Sequence, residues 1–159
     1  MKVWMIGIAI LGFLMEEVKG LPFEHPSRFQ SDTLTVRVLG TESDARFEPA
    51  IVQVSPGDVI RFEVLEGIHT VTAYHPDNRR PLRMPANAEP FDSGPLTIGD
   101  VWELTLEVKG VYDYFCLPHE QMGHAGRIIT GDVADMPAYD DSRLPEAVRN
   151  RLNLQGAND

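Results

Sequence analysis

The chain has 159 residues and a net charge of -10, with a single cysteine and five histidines. That length holds one domain with tails and can bury a proper core. The acidic balance argues against nucleic acid and for steering toward a basic patch on a partner protein, and one cysteine excludes an intrachain disulfide.

In chain order, the first element reads as an address. Lys2 precedes thirteen uncharged, mostly apolar residues, Val3 to Met15. This run is too short to span a bilayer comfortably and has the form of the apolar part of a secretory signal. Residues 1–20 are therefore expected to be a signal peptide or, if uncleaved, an N-terminal anchor. Export to the periplasm or the extracellular space follows, with membrane contact only if the segment stays attached. Residues 21–32, with two prolines, read as a flexible lead-in in which His25 is incidental.

From Thr33 the pattern becomes β. Thr33–Leu39 alternates, with Leu34, Val36 and Val38 on one face. Phe47–Val54 is a second run, closed by the turn Ser55-Pro56-Gly57-Asp58. Val59–Leu65 and Ile68–Tyr74 follow, then a long proline-rich connection over 75–95, of the kind a compact domain keeps for function. Strands resume at Val101–Val108, where Trp102 is assigned to the core, and continue at Val111–Cys116 and Gly126–Thr130. Short strands with turn signals between them argue for an all-β domain over 33–131, an antiparallel sandwich or barrel. In the tail, 132–159, Leu144, Val148 and Leu152 recur at helical spacing. One short helix laid across the sandwich is the preferred reading over a partner-docking helix, with disorder over Gln155–Asp159.

The chemistry concentrates in Cys116-Leu-Pro-His119-Glu-Gln-Met122-Gly-His124, which sets the cysteine, two histidines and a methionine within nine residues. A thiolate, imidazoles and a thioether suit copper rather than magnesium or calcium. Pro118 shapes the short loop between Cys116 and His119. His69, in a separate strand-like segment, is placed to close a trigonal set, which distinguishes this arrangement from a zinc knuckle. Smaller expectations attach to His75 as a support behind the ligands or a residue on a second metal, to Asp92 and Ser93 as braces of a ligand loop, and to Arg79, Arg80 and Arg83. Those arginines read as solvated loop residues, with a docking patch as the alternative. No phosphate loop or second cysteine for a zinc ribbon is found, and the Cys–His pair does not support a thiol protease.

These residues resemble the cupredoxins, and within them the plastocyanin, pseudoazurin and halocyanin group. The resemblance rests on Ile68-His69-Thr-Val, on Phe91-Asp-Ser-Gly94, and on Gly110-Val-Tyr-Asp-Tyr-Phe-Cys116-Leu-Pro-His119 followed by Met122-Gly-x-x-Gly126-Arg-Ile. It implies an eight-stranded Greek-key β-sandwich with one mononuclear copper at one end. His69, Cys116 and His119 would be the equatorial ligands and a monomer the resting state.

The departure from that pattern is at the axial position, where the group usually has methionine and this chain has His124. Three arrangements are open: His124 binds axially, which is preferred; Met122 takes the place; or the position is left to water. An imidazole there favours Cu(II) and lowers the reduction potential. The leading function is an exported, non-enzymatic carrier of single electrons between protein partners. A copper-handling protein for storage, tolerance or delivery is the alternative, and a catalytic copper site the third reading. An exposed apolar rim of Leu117, Pro118 and Met122 around His119 would favour the carrier.

Overall fold

A computed structural model of the protein describes residues 32–153, apart from 133, 135, 136 and 138. The expectations for residues 1–31 and for Gln155–Asp159 lie outside those residues.

Two four-stranded sheets and a two-stranded ribbon carry the domain. The first sheet contains β1 (Thr33–Leu39), β2 (Arg46–Glu48), β4 (Val59–Val64) and β8 (Val101–Thr105), in the order β2-β1-β4-β8. The second contains β3 (Ile51–Val54), β6 (Thr72–Ala73), β9 (Gly110–Phe115) and β10 (Ala125–Thr130), in the order β3-β10-β9-β6. The ribbon pairs β5 (Ile68–His69) with β7 (Leu96–Thr97). One helix, α1 (Glu146–Asn153), closes the described chain and packs on β10 and on the 3-10 turn Leu117–Met122.

The alternation in β1 acts as expected: Val36 and Val38 are fully buried and Leu34 packs at the core edge. They meet Ile60, Phe62 and Val64 of β4 and, from the other sheet, Tyr112, Tyr114 and Ile128. Trp102 is half-buried at the rim of this core, 5.7 Å from Phe62 between ring centroids.

The all-β sandwich is as expected, but its pairing is mixed rather than antiparallel throughout. β1 runs parallel to β4, and β3 runs parallel to β10. A parallel pair needs a crossover rather than a tight turn, and the stretch between β1 and β4 supplies it. The run Phe47–Val54 is accordingly two strands, β2 in one sheet and β3 in the other, broken at Pro49-Ala50. Proline has no N–H for the ladder, so the chain leaves the first sheet there. The run Ile68–Tyr74 likewise divides into β5 and β6, with Thr70 and Val71 between them outside either strand.

The helical spacing of the tail is realised in α1 and the turn before it. Leu144, Val148 and Leu152 are buried against Tyr74, Phe115 and Ala125, forming a second, smaller core beside the main one. Before α1 the chain is strapped down by Tyr139, whose hydroxyl donates to the Val111 carbonyl at 2.7 Å.

Arg83 departs from its expected place among solvated loop residues. It is buried, donates to Asp113 at 2.9 Å, and meets Asp141 at 2.8 Å. Arg127 reaches the same Asp113 at 2.6 Å. A carboxylate without solvent in the middle of β9 requires such partners, because an unpaired buried charge is costly.

Candidate metal centre

Four side chains meet at one end of the sandwich. The ligand atoms of His69, Cys116, His119 and His124 all lie within 4.8 Å of one another. His69 comes from β5, and Cys116 follows the last residue of β9. His119 sits in the 3-10 turn Leu117–Met122, and His124 stands just before β10. The turn was not legible in the sequence as a helical element. Pro118 suits its first positions, where a missing N–H costs nothing. Gly123 ends it in the left-handed region, at φ 84°. The loop is then sealed by its own backbone: the Cys116 N–H donates to the His124 carbonyl at 3.0 Å.

Each ring has a distinct environment. The Nε2 of His69 is 2.8 Å from the Glu66 carbonyl and 3.1 Å from that of Gly40. Two carbonyls can only accept, so Nε2 carries the proton and Nδ1, 3.6 Å from the Cys116 sulfur, is left with a free lone pair. Gly67 is required for this fit, since a Cβ there would stand 2.7 Å from Nε2 and 2.8 Å from the Gly40 oxygen. His119 presents Nδ1 to the same sulfur at 3.4 Å and is the one ring of the three that reaches the surface. Burial, and then His69, hold its pKa below the usual imidazole range.

His124 is fully buried, and neither of its ring nitrogens has a hydrogen-bond partner. Burial, then His69 and His119, push its pKa down to about 2. A buried imidazole without partners is a costly arrangement for which a ligand role is the physical compensation. Its ring lies 4.0 Å from that of Phe47 and 4.9 Å from that of His69, centroid to centroid. Met122, by contrast, is 37% exposed.

Cys116 is fully buried, which raises its thiol pKa; the Thr70 N–H, donating to the sulfur at 3.4 Å, works in the opposite sense. Thr70 is a functional residue that sequence reasoning missed. Its hydroxyl accepts from the Leu117 N–H at 2.9 Å and donates to the Thr72 hydroxyl at 2.9 Å, which in turn donates to Asp92 at 3.0 Å. Asp92 thus braces the cysteine loop through two threonines, while Ser93 accepts from the Val71 N–H. No local signal marks Thr70, because its partner lies 47 residues away. His75 is not among the four: it caps the turn Pro76–Asn78 and accepts from the Asp77 N–H.

One thiol and three imidazoles, one of them orphaned, fit a borderline-to-soft ion such as copper and not a hard cation. A two-sheet sandwich with this set at one end is a cupredoxin, a copper protein by class. The chain belongs to the family described as copper binding proteins of the plastocyanin/azurin family, whose pattern matches residues 34–131.

Its relatives agree. It is 32% identical over 110 residues to the pseudoazurin of Paracoccus pantotrophus, covering 69% of this chain and 70% of that one. It is 29% identical over 102 residues to the chloroplastic plastocyanin of Fritillaria agrestis, covering 62% and 61%. A solved pseudoazurin from Sinorhizobium superposes with a TM-score of 0.56 at 26% identity, over 77% of this chain and 92% of that chain. Type 1 mononuclear copper is the cofactor of this family, whose small members carry electrons and are not enzymes.

Proposed function

We propose that this cupredoxin holds one copper ion through His69, Cys116, His119 and His124, with His124 in the axial place, and works as an electron carrier of lowered potential. The observation that carries this reading is the fully buried His124 ring with both nitrogens unpartnered beside the other three donors. Met122, exposed where the four donors are mostly buried, is the weaker candidate. Bound copper supplies one-electron redox chemistry, and an imidazole in place of a thioether favours its oxidised state.

The chain's residues do the rest. The Glu66 and Gly40 carbonyls fix the tautomer of His69. The Thr70 N–H supports negative charge on the cysteine sulfur once its proton has left. His69, Cys116 and His124 are shut off from water, and His119 alone reaches the surface, among exposed Leu117, Pro118 and Met122. An apolar rim around one half-exposed ligand suits brief contact with a protein partner, and this favours the carrier over copper storage or delivery. The net charge of -10 fits a partner with a basic docking patch. Residues 1–20 support export to the periplasm or beyond, and a monomer is the expected state.

The test is copper loading of the purified protein, followed by potentiometry. The reading expects one Cu per chain, reversible one-electron cycling, and a potential that rises in His124→Met. Binding of more than one ion, or a site that cannot be cycled without losing copper, would overturn the carrier reading.

A further inference from the structure

The ligand loop is held from outside by two features that the copper reading does not use. Glu120, next in sequence to His119, is almost fully buried. Its carboxylate accepts from Arg80 Nε at 2.9 and 3.0 Å and from Nη2 at 2.6 Å. Arg80 comes from the long connection after β6, and its guanidinium lies over the Phe115 ring, 5.0 Å from the centroid. Phe115 is the residue before Cys116, so this one side chain touches the loop at its start and at its middle. A fork of this kind fixes orientation as well as charge.

The second feature is α1. Gly123, the residue before His124, lies so close to this helix that a Cβ would stand 2.9 Å from the Ala147 carbonyl oxygen. Val148 and Leu144 fill the space beside Ala125, the residue after His124. His124 is thus gripped at both neighbours by a helix that contributes no ligand.

We propose that Arg80, Glu120 and α1 form a brace that positions His119 and His124 for the metal, so that residues outside the donor set adjust both the affinity and the electronic character of the site. The inference rests on the four-donor reading above and extends it to the C-terminal tail. These are positioning residues. They act through loop geometry, and their loss lets the imidazoles relax rather than removing a donor.

The test compares Arg80→Leu and Val148→Ala with the parent protein, with His124→Ala in parallel and Arg37→Ala, in an exposed ion pair on β1, as the control. Each is loaded with Cu(II). Affinity is read by competition with a chelator, and the site itself by absorption, EPR hyperfine splitting and reduction potential. The brace predicts affinity about 10- to 100-fold weaker in Arg80→Leu and Val148→Ala, as is common when outer partners of metal ligands are lost. It also predicts altered hyperfine splitting and potential in both, and no change in Arg37→Ala.

If Val148→Ala does not fold, Arg80→Leu decides, since that side chain is partly exposed. Spectra, potential and affinity within twofold of the parent in folded Arg80→Leu would overturn the brace. A change in His124→Ala without one in Arg80→Leu removes the brace and leaves the four-donor site standing. A change in Arg80→Leu without one in His124→Ala removes His124 as a ligand and keeps the brace, acting through His119.

Discussion

Replacing His124 by leucine should make the metal-free protein markedly less sensitive to acid. In the unfolded chain this imidazole takes up a proton near pH 6.5, its ordinary value, whereas in the folded protein burial beside His69 and His119 delays protonation to about 2. Above pH 7 both states are neutral at this position and the group contributes nothing to the pH dependence. As the pH falls through 6.5 the unfolded state gains a proton that the folded state refuses, so stability falls with it. Between pH 7 and pH 5 the loss amounts to about 2 kcal/mol for this one group. The folded-state pKa of His119 is also held down, so it adds a loss of the same sign that both proteins share. Urea unfolding of the metal-free parent and of His124→Leu, at pH 7 and pH 5, isolates the term as a difference of differences. The parent should lose about 2 kcal/mol more than the variant over that interval. Parallel losses would refute the reasoning, because they would mean that the His124 ring is solvated or already partnered.

Three further outcomes follow from the same structure. Thr70→Val removes the acceptor of the Leu117 N–H but keeps the backbone N–H that meets the sulfur. It should cost about 1–3 kcal/mol in chemical unfolding while leaving the sulfur-to-copper absorption bands in place; loss of those bands would show that the hydroxyl relay sets the cysteine geometry. Arg83→Leu strips Asp113 and Asp141 of one partner while Arg127 stays on Asp113. Thermal unfolding should show a loss of about 3 kcal/mol with an unaltered copper spectrum, and an unchanged Tm would count against a structural role for this network. In the metal-free protein, the buried Cys116 thiol should react with a disulfide reagent far more slowly than free cysteine, and quickly once denaturant is added. Fast reaction of the folded protein would mean that the site end of the sandwich opens without unfolding.

Much of this was legible in the residues themselves. The alternation of Thr33–Leu39 gave a strand with those bounds, and the spacing of Leu144, Val148 and Leu152 gave the face that α1 and its lead-in bury. The Cys116, His119 and His124 cluster and the distant His69 were readable because a thiolate and imidazoles are donors that suit copper and three of the four stand in a tightly spaced motif. What escaped notice depends on contacts between distant segments. Phe47–Val54 is continuous in pattern but changes sheet at Pro49-Ala50, because the parallel partner of β3 is β10, some 75 residues on. Arg83 looked solvated in a proline-rich connection, and nothing nearby in sequence announces that Asp113 waits for it inside β9. Thr70 and Arg80 were hidden for the same reason. Their partners, Leu117 and Glu120, lie in the ligand loop, 47 and 40 residues away. Residue types that carry chemistry show themselves in a sequence, whereas most of those that orient them do so only once the chain has folded; Asp92 and Ser93, read as braces of a ligand loop, are the exceptions.

The most direct test of the account is the absorption and EPR spectrum of the Cu(II)-loaded protein beside that of His124→Met. With His124 as a ligand, the parent should be a green or red centre of low potential, turning blue with a higher potential when the thioether replaces the imidazole. A blue, high-potential parent whose spectrum is indifferent to His124→Met would contradict it, and His124 would then be a buried bystander rather than a ligand.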